Sequence, residues 1–195
     1  MASKNTGHPE LDSFIQDVEQ IVQEGGSEEV LISKIKTRMQ KLLKLGNVLP
    51  NQYMQPQSKS VLYPLYIPED ESFVIAVTIF NPGQPSPMHD HGTWGVIGVV
   101  QGVEHETKYA RPSNENEPLT VLRDRYIREG EVGTCCSSEQ DLHRVECASS
   151  VPCVGIHVYG RNIGKVERHM YDPQTGAKKV GVTPWFPIPN SNITL

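Results

Sequence analysis

The sequence predicts a mainly β protein, a jelly-roll barrel or sandwich fronted by a helical hairpin. Three observations carry that prediction. The hydrophobic period is helical up to about residue 46 and changes to two from about residue 60. Nine short strand-like runs then follow, separated by Gly, Pro, Asn and Asp clusters such as NPGQPSP, RPSNENEP and YDPQTG. A chain of 195 residues is long enough for one domain with a sizeable core.

In the helical part, Leu11, Phe14, Ile15, Val18, Ile21 and Val22 share one face of a first helix, which Gly25–Gly26 ends. Ser27 suits the N-cap of a second helix, and Glu28 and Glu29 suit its first turn. Leu31, Ile35, Met39 and Leu42 continue the buried stripe, and Gly46 closes it. Residues 9–46 therefore read as a helical cap on a barrel spanning 60–180. The expected strands cover 61–66, 73–80, 95–100, 104–109, 119–127, 132–136, 144–147, 153–159 and 165–171. The Pro-rich tail, 181–195, is expected to lie extended over the barrel surface.

The formal charge of −5 argues against a nucleic-acid partner, and no apolar run reaches membrane-spanning length. The N-terminus has no apolar signal-peptide core, so a cytoplasmic location is expected. Cys135, Cys136, Cys147 and Cys153 lack C-x-x-C spacing and read as reduced structural thiols. On a strand, Cys135 and Cys136 would face opposite ways and make a poor joint metal clamp.

The segment PSPMHDHGTWGVIGVVQG places His89 and His91 one residue apart at the mouth of an apolar strand. Strand residues i and i+2 share a face, so the two imidazoles aim at one point and suit a divalent transition metal. Gly83 lies six residues before His89, and Gly102 eleven after His91. This spacing resembles the first cupin motif, G-x5-H-x-H-x3-E-x6-G, except that Gly95 occupies the glutamate position. His143 lies where the second cupin motif supplies a third ligand. Three neutral histidines leave a divalent ion its full charge and several open positions. That suits iron better than zinc, together with an anionic chelating substrate and dioxygen.

PGQPSPMHDHGTWGVIGVVQGVE, His143 and GIHVYGRNIGKVER together resemble the cysteine dioxygenase superfamily of thiol dioxygenases. The similarity is closer to the bacterial branch typified by 3-mercaptopropionate dioxygenase, and it extends from the helical hairpin to about Tyr171. The resemblance implies a cupin double-stranded β-helix, Fe(II) on His89, His91 and His143, and oxidation of a small thiol to a sulfinic acid by both atoms of O2.

The family carries a Ser-His-Tyr row near the iron. Here His157 and Tyr159 match it, but Gly155 replaces the serine, so the row is expected to lose one hydrogen-bond link. Animal-type members bind carboxylate through an arginine on an early strand, where this chain has Tyr63. The mercaptopropionate branch places an arginine after the Tyr motif, and Arg168 fits, with Arg161 as its rival. The cysteine–tyrosine crosslink of the animal enzymes is not expected, because no cysteine stands beside the H-x-H motif.

His105 reads as solvent-facing and His169 as pointing away from the site. Trp94 reads as a pocket wall or core residue. Two other functions share the motif: a different metal-dependent cupin enzyme (an isomerase or a carbon–carbon-cleaving dioxygenase), and a non-catalytic ligand-binding cupin. Oxygen uptake with a panel of thiols separates the thiol dioxygenase from both.

Overall fold

The computed structural model describes residues 6–55, 57–112, 114, 117–135, 137 and 141–187. Two helices come first, α1 (Pro9–Glu24) and α2 (Glu28–Leu43). Ser27 occupies the N-cap of α2, but its hydroxyl makes no capping bond. After a 3-10 turn at Asn51–Met54 come eleven strands: β1 (Val61–Tyr66), β2 (Val74–Phe80), β3 (Met88–His89), β4 (Gly95–Gln101), β5 (Val103–Tyr109), β6 (Val121–Arg128), β7 (Val132–Cys135), β8 (His143–Cys147), β9 (Cys153–Tyr159), β10 (Arg168–Tyr171) and β11 (Lys178–Gly181). No described helix is long and apolar enough to cross a membrane.

The strands form two antiparallel sheets, ordered β1-β2-β9-β4-β7 and β11-β10-β3-β8-β5-β6. This is the mainly β cupin architecture with a helical hairpin that the sequence predicts. Two strands go beyond that prediction. β3 is only Met88–His89, so His91 lies just past a strand rather than on one. β11 lies at the end of the expected barrel, where no strand was assigned, and its last residue, Gly181, reaches the expected tail. Cys136 and residues 188–195, named above, lie outside the described residues.

Both faces of the five-stranded sheet are covered, so its strands read as unbroken apolar runs. Ile75, Val77 and Ile79 of β2 and Val154, Ile156 and Val158 of β9 pack in one cluster with Leu11, Ile15, Ile35 and Met39 of the hairpin. Alternation then turns the intervening residues inward. Val74 and Ala76 cluster with Tyr159 on the other face. The barrel interior thus receives Thr78 from β2 and Gly155, His157 and Tyr159 from β9.

On β5 the same alternation buries Glu104 and Glu106, while His105 faces out. Outside the barrel His105 bridges Glu146 and Asp124 and stacks on Tyr126, a surface cluster remote from any ligand role.

Candidate metal centre

Strand pairing assembles the three histidines. His89 of β3 is the register partner of His143 on β8, and on its other side it pairs with Met170 of β10. His91 follows in the loop. The ring centroids lie 4.9 Å (His89–His91), 4.8 Å (His89–His143) and 4.7 Å (His91–His143) apart. One ligand atom from each lies within 4.8 Å of the others, the one such group of three or more among the described residues.

A second layer of groups fixes the direction of these rings. The Nδ1 of His89 donates to the Pro87 carbonyl at 2.8 Å, and that of His143 to Glu106 Oε1 at 2.9 Å. In each ring the other nitrogen, Nε2, is thereby left to face a ligand. His143 Nε2 is buried and has no hydrogen-bond partner, as a nitrogen awaiting a metal would be. Burial, then the neighbouring His143, hold His89 and His91 well below the ordinary histidine value, so protons do not compete for these nitrogens at neutral pH. Burial pushes Glu106 upward, but His143 and Arg125 outweigh it and hold the carboxylate at about 2. A donor set of three imidazoles backed by a carboxylate fits a divalent transition metal.

The loop carrying His91 is pinned from the other motif. Asp141, wholly buried, accepts the backbone N–H groups of both His91 and Gly92 at 3.0 Å. Arg111 bridges Asp141 and Asp90. Gly92 sits at φ 61, a left-handed turn that favours glycine. Asp90 Oδ1 also accepts the His169 N–H, at 2.9 Å. The acid between the two histidines therefore locks β10 to the motif.

The glutamate missing from the cupin motif has a spatial explanation. Gly95 pairs with Tyr159 on one side and Cys135 on the other. A Cβ at Gly95 would meet Cys135 Sγ at 2.8 Å and the Tyr159 ring at 3.1 Å. The space a longer side chain would need is taken by the tyrosine, whose ring stacks 5.2 Å from that of His91.

His157 and Tyr159 do share a face, joined Nδ1 to Oη at 2.9 Å. The expected loss of a link at Gly155 does not occur. Thr78 is the register partner of Gly155, and its Oγ1 lies 2.9 Å from His157 Nε2. A Cβ at Gly155 would sit 2.8 Å from that nitrogen and 3.1 Å from the threonine oxygen. The hydroxyl has crossed to the next strand, and glycine leaves it room. Burial pushes the Tyr159 phenol far up, so it keeps its proton.

Thr78→Val is expected to lower stability by about 1–3 kcal/mol, because it strands a buried imidazole nitrogen. It is also expected to lower kcat several-fold, and Thr78→Ser should restore both. Denaturant melts and steady-state kinetics of the two variants check this, and a silent valine variant would remove Thr78 from the row.

Arg168 is 5% exposed despite its charge. It stands two residues from Met170, the partner of His89, so alternation turns it to the His89 side. The guanidinium bonds Thr183, while its Nε is buried without a partner. With His89, Tyr159, Leu62, Phe80 and Ile163 it lines a cavity of about 350 Å³. Burial lowers its pKa, against the pull of Tyr159 and Asp90. The rival Arg161 is exposed. Tyr63 packs in the core with Tyr53 and the hairpin, and on β1 it is Val61 and Leu62 that line the cavity.

The tail is more than a surface strap. Thr183, Pro184 and Phe186 form part of the cavity rim, held by a bond from the Phe186 N–H to the Leu62 carbonyl at 2.9 Å.

The family model for cysteine dioxygenase type I matches residues 70–172, just over half of the chain. The chain belongs to the cysteine dioxygenase type I family. Membership and the three-histidine cluster make it a metal-dependent thiol dioxygenase of the cupin type.

The chain is also similar to several solved structures. Protein TT1209 of Thermus thermophilus is 14% identical over 57% of this chain and 94% of that one, with a TM-score of 0.44. The oxalate decarboxylase of Lactobacillus farciminis, in a formate complex, is 15% identical over 55% of this chain and 30% of its own, with a TM-score of 0.43. A cupin domain of an XRE family transcriptional regulator from Enterobacter cloacae is 17% identical over 54% of this chain and 99% of its own, with a TM-score of 0.39.

Four groups around this candidate metal centre carry no mention in the sequence analysis: Thr78, Glu104, Glu106 and the Asp141–Arg111 pair. Glu104 and Glu106 had a readable signal, since two acids at i and i+2 on a strand share one face. Thr78 had none, because its role exists only through the β2–β9 register.

Proposed function

We propose that this chain oxidises a small mercapto-carboxylate, of the 3-mercaptopropionate or cysteine kind, to its sulfinic acid with O2. The metal is Fe(II), held by His89, His91 and His143. The observation that carries this reading is a buried guanidinium, Arg168, on the wall of the cavity that opens onto His89. Bound Fe(II) supplies the redox chemistry that brings both atoms of dioxygen to the sulfur.

The protein's own groups bind and orient. Arg168 has a free, buried Nε and can take a carboxylate through two parallel hydrogen bonds. Leu62, Phe80 and Ile163 keep water from the substrate chain. When the Thr78 hydroxyl donates to His157 Nε2, the imidazole proton resides on Nδ1 and donates to Tyr159 Oη. The phenolic O–H is then free to donate into the cavity, where it positions the thiolate or the incoming oxygen.

Oxygen consumption of the iron-loaded protein, measured with 3-mercaptopropionate, cysteine, mercaptosuccinate and cysteamine, tests the reading. Sulfinate formation matching the oxygen consumed from a mercapto-carboxylate supports it. Thiol-independent uptake or none would overturn it.

Tyr159→Phe is expected to lower kcat about 10- to 100-fold, the worth of one hydrogen bond to a charged group, with iron content unchanged. Unchanged kinetics across pH would make the phenol structural only.

A further inference from the structure

Two cysteines outside the metal centre lie against each other. Cys147 ends β8 and Cys153 begins β9, with their sulfurs 2.8 Å apart. A disulfide holds its sulfurs at about 2.05 Å, so small side-chain rotations separate this contact from a bond. The two strands belong to different sheets. The segment between them, residues 148–152, is a short turn with Val151 48% exposed, and the thiols lie directly beneath it. Ser149 Oγ reaches both sulfurs, at 3.3 Å from Cys147 and 3.5 Å from Cys153.

We propose that Cys147 and Cys153 form a reversible dithiol–disulfide site, a staple between the two sheets, closed by a small hydroperoxide and reopened by small thiols. The two cysteines have unequal parts. Cys153 is wholly buried, donates to the Val103 carbonyl at 3.0 Å, and is pushed up to about 12 by burial and then by Cys147. Cys147 is 8% exposed and lies nearer the turn, so it meets the oxidant first.

In the first step the Cys147 sulfur attacks one peroxide oxygen. The O–O bond breaks, a sulfenic acid forms, and water (or an alcohol) leaves. In the second, the Cys153 sulfur attacks the Cys147 sulfur. The S–S bond forms, the S–O bond breaks, and the hydroxyl departs as water with the Cys153 proton. Overall, two thiols and one hydrogen peroxide give one disulfide and two waters, and an organic hydroperoxide gives one alcohol and one water instead. Two small thiols reverse the bond and leave as their own disulfide.

The staple lies four residues from His143 along β8 and four from His157 along β9, so it ties the strands that carry both halves of the centre without touching either.

Trypsin places both cysteines on one peptide, 145–161, and Cys135 and Cys136 on another, 129–144. Full-length reduced protein is exposed to a few equivalents of hydrogen peroxide, quenched with catalase, unfolded, alkylated and digested. The expected result is peptide 145–161 lighter by two hydrogens and resistant to alkylation, with dithiothreitol restoring two alkylation sites. The oxidised protein is expected to melt about 5 °C higher, from the loop the bond closes. Cys153→Ser should show neither change and instead carry a trappable sulfenic acid on Cys147. A peptide 145–161 that stays doubly alkylated, that crosslinks to 129–144, or that runs on to sulfinic acid at Cys147 in the wild-type chain would overturn the proposal.

Discussion

His91→Ala is expected to abolish stoichiometric iron binding and, with it, all thiol-dependent oxygen uptake. The ligand set has no spare member, since the three imidazoles are the one such group of three or more among the described residues. Losing one removes a third of the protein ligands. The loop itself should survive. Asp141 holds it through the backbone N–H groups of His91 and Gly92, which alanine leaves in place. The variant should therefore keep a native circular dichroism spectrum while metal analysis finds far less than one iron per chain. Full iron occupancy with full activity would sink the ligand assignment. A collapsed fold would instead mean that metal and structure are inseparable here.

Arg168→Ala is expected to depress kcat/KM for mercapto-carboxylates by on the order of 30- to several-thousand-fold. Truncating one partner of a desolvated, charge-assisted pair costs roughly 2–5 kcal/mol. The guanidinium meets the conditions for that range, being 5% exposed with an unpartnered Nε in the cavity wall. The test lies in the comparison between thiols. Cysteamine has no carboxylate, so any turnover of it should change far less. Equal small losses for both thiol classes would exclude Arg168 as the clamp. Because Arg168 also bonds Thr183 on the cavity rim, Thr183→Ala is a useful control for rim disorder.

The sequence by itself determined everything that depends on local period and on residue order. The change from helical to alternating hydrophobicity located both helices and nine of the eleven strands. The two it missed differ in kind: β3 is two residues long, too short to show a period, and β11 is largely exposed, Lys178–Gly181, with no apolar face to read. The H-x-H spacing could be read from the chain directly, and His143 from its order and distance after it. The His157–Tyr159 pair and Arg168 became candidates only through the family resemblance.

Only the tertiary structure decided what surrounds them. Which hydroxyl faces His157 depends on the residue opposite Gly155 across the β2–β9 ladder, and that partner lies 77 positions away in the chain. Whether Tyr63 or Leu62 faces the cavity depends on which side of β1 the hairpin covers. The glycine at the glutamate position reads from the chain as a loss. In space it is the room that Cys135 and Tyr159 require, because side chains from three strands converge on one volume there and only one of the three can be large.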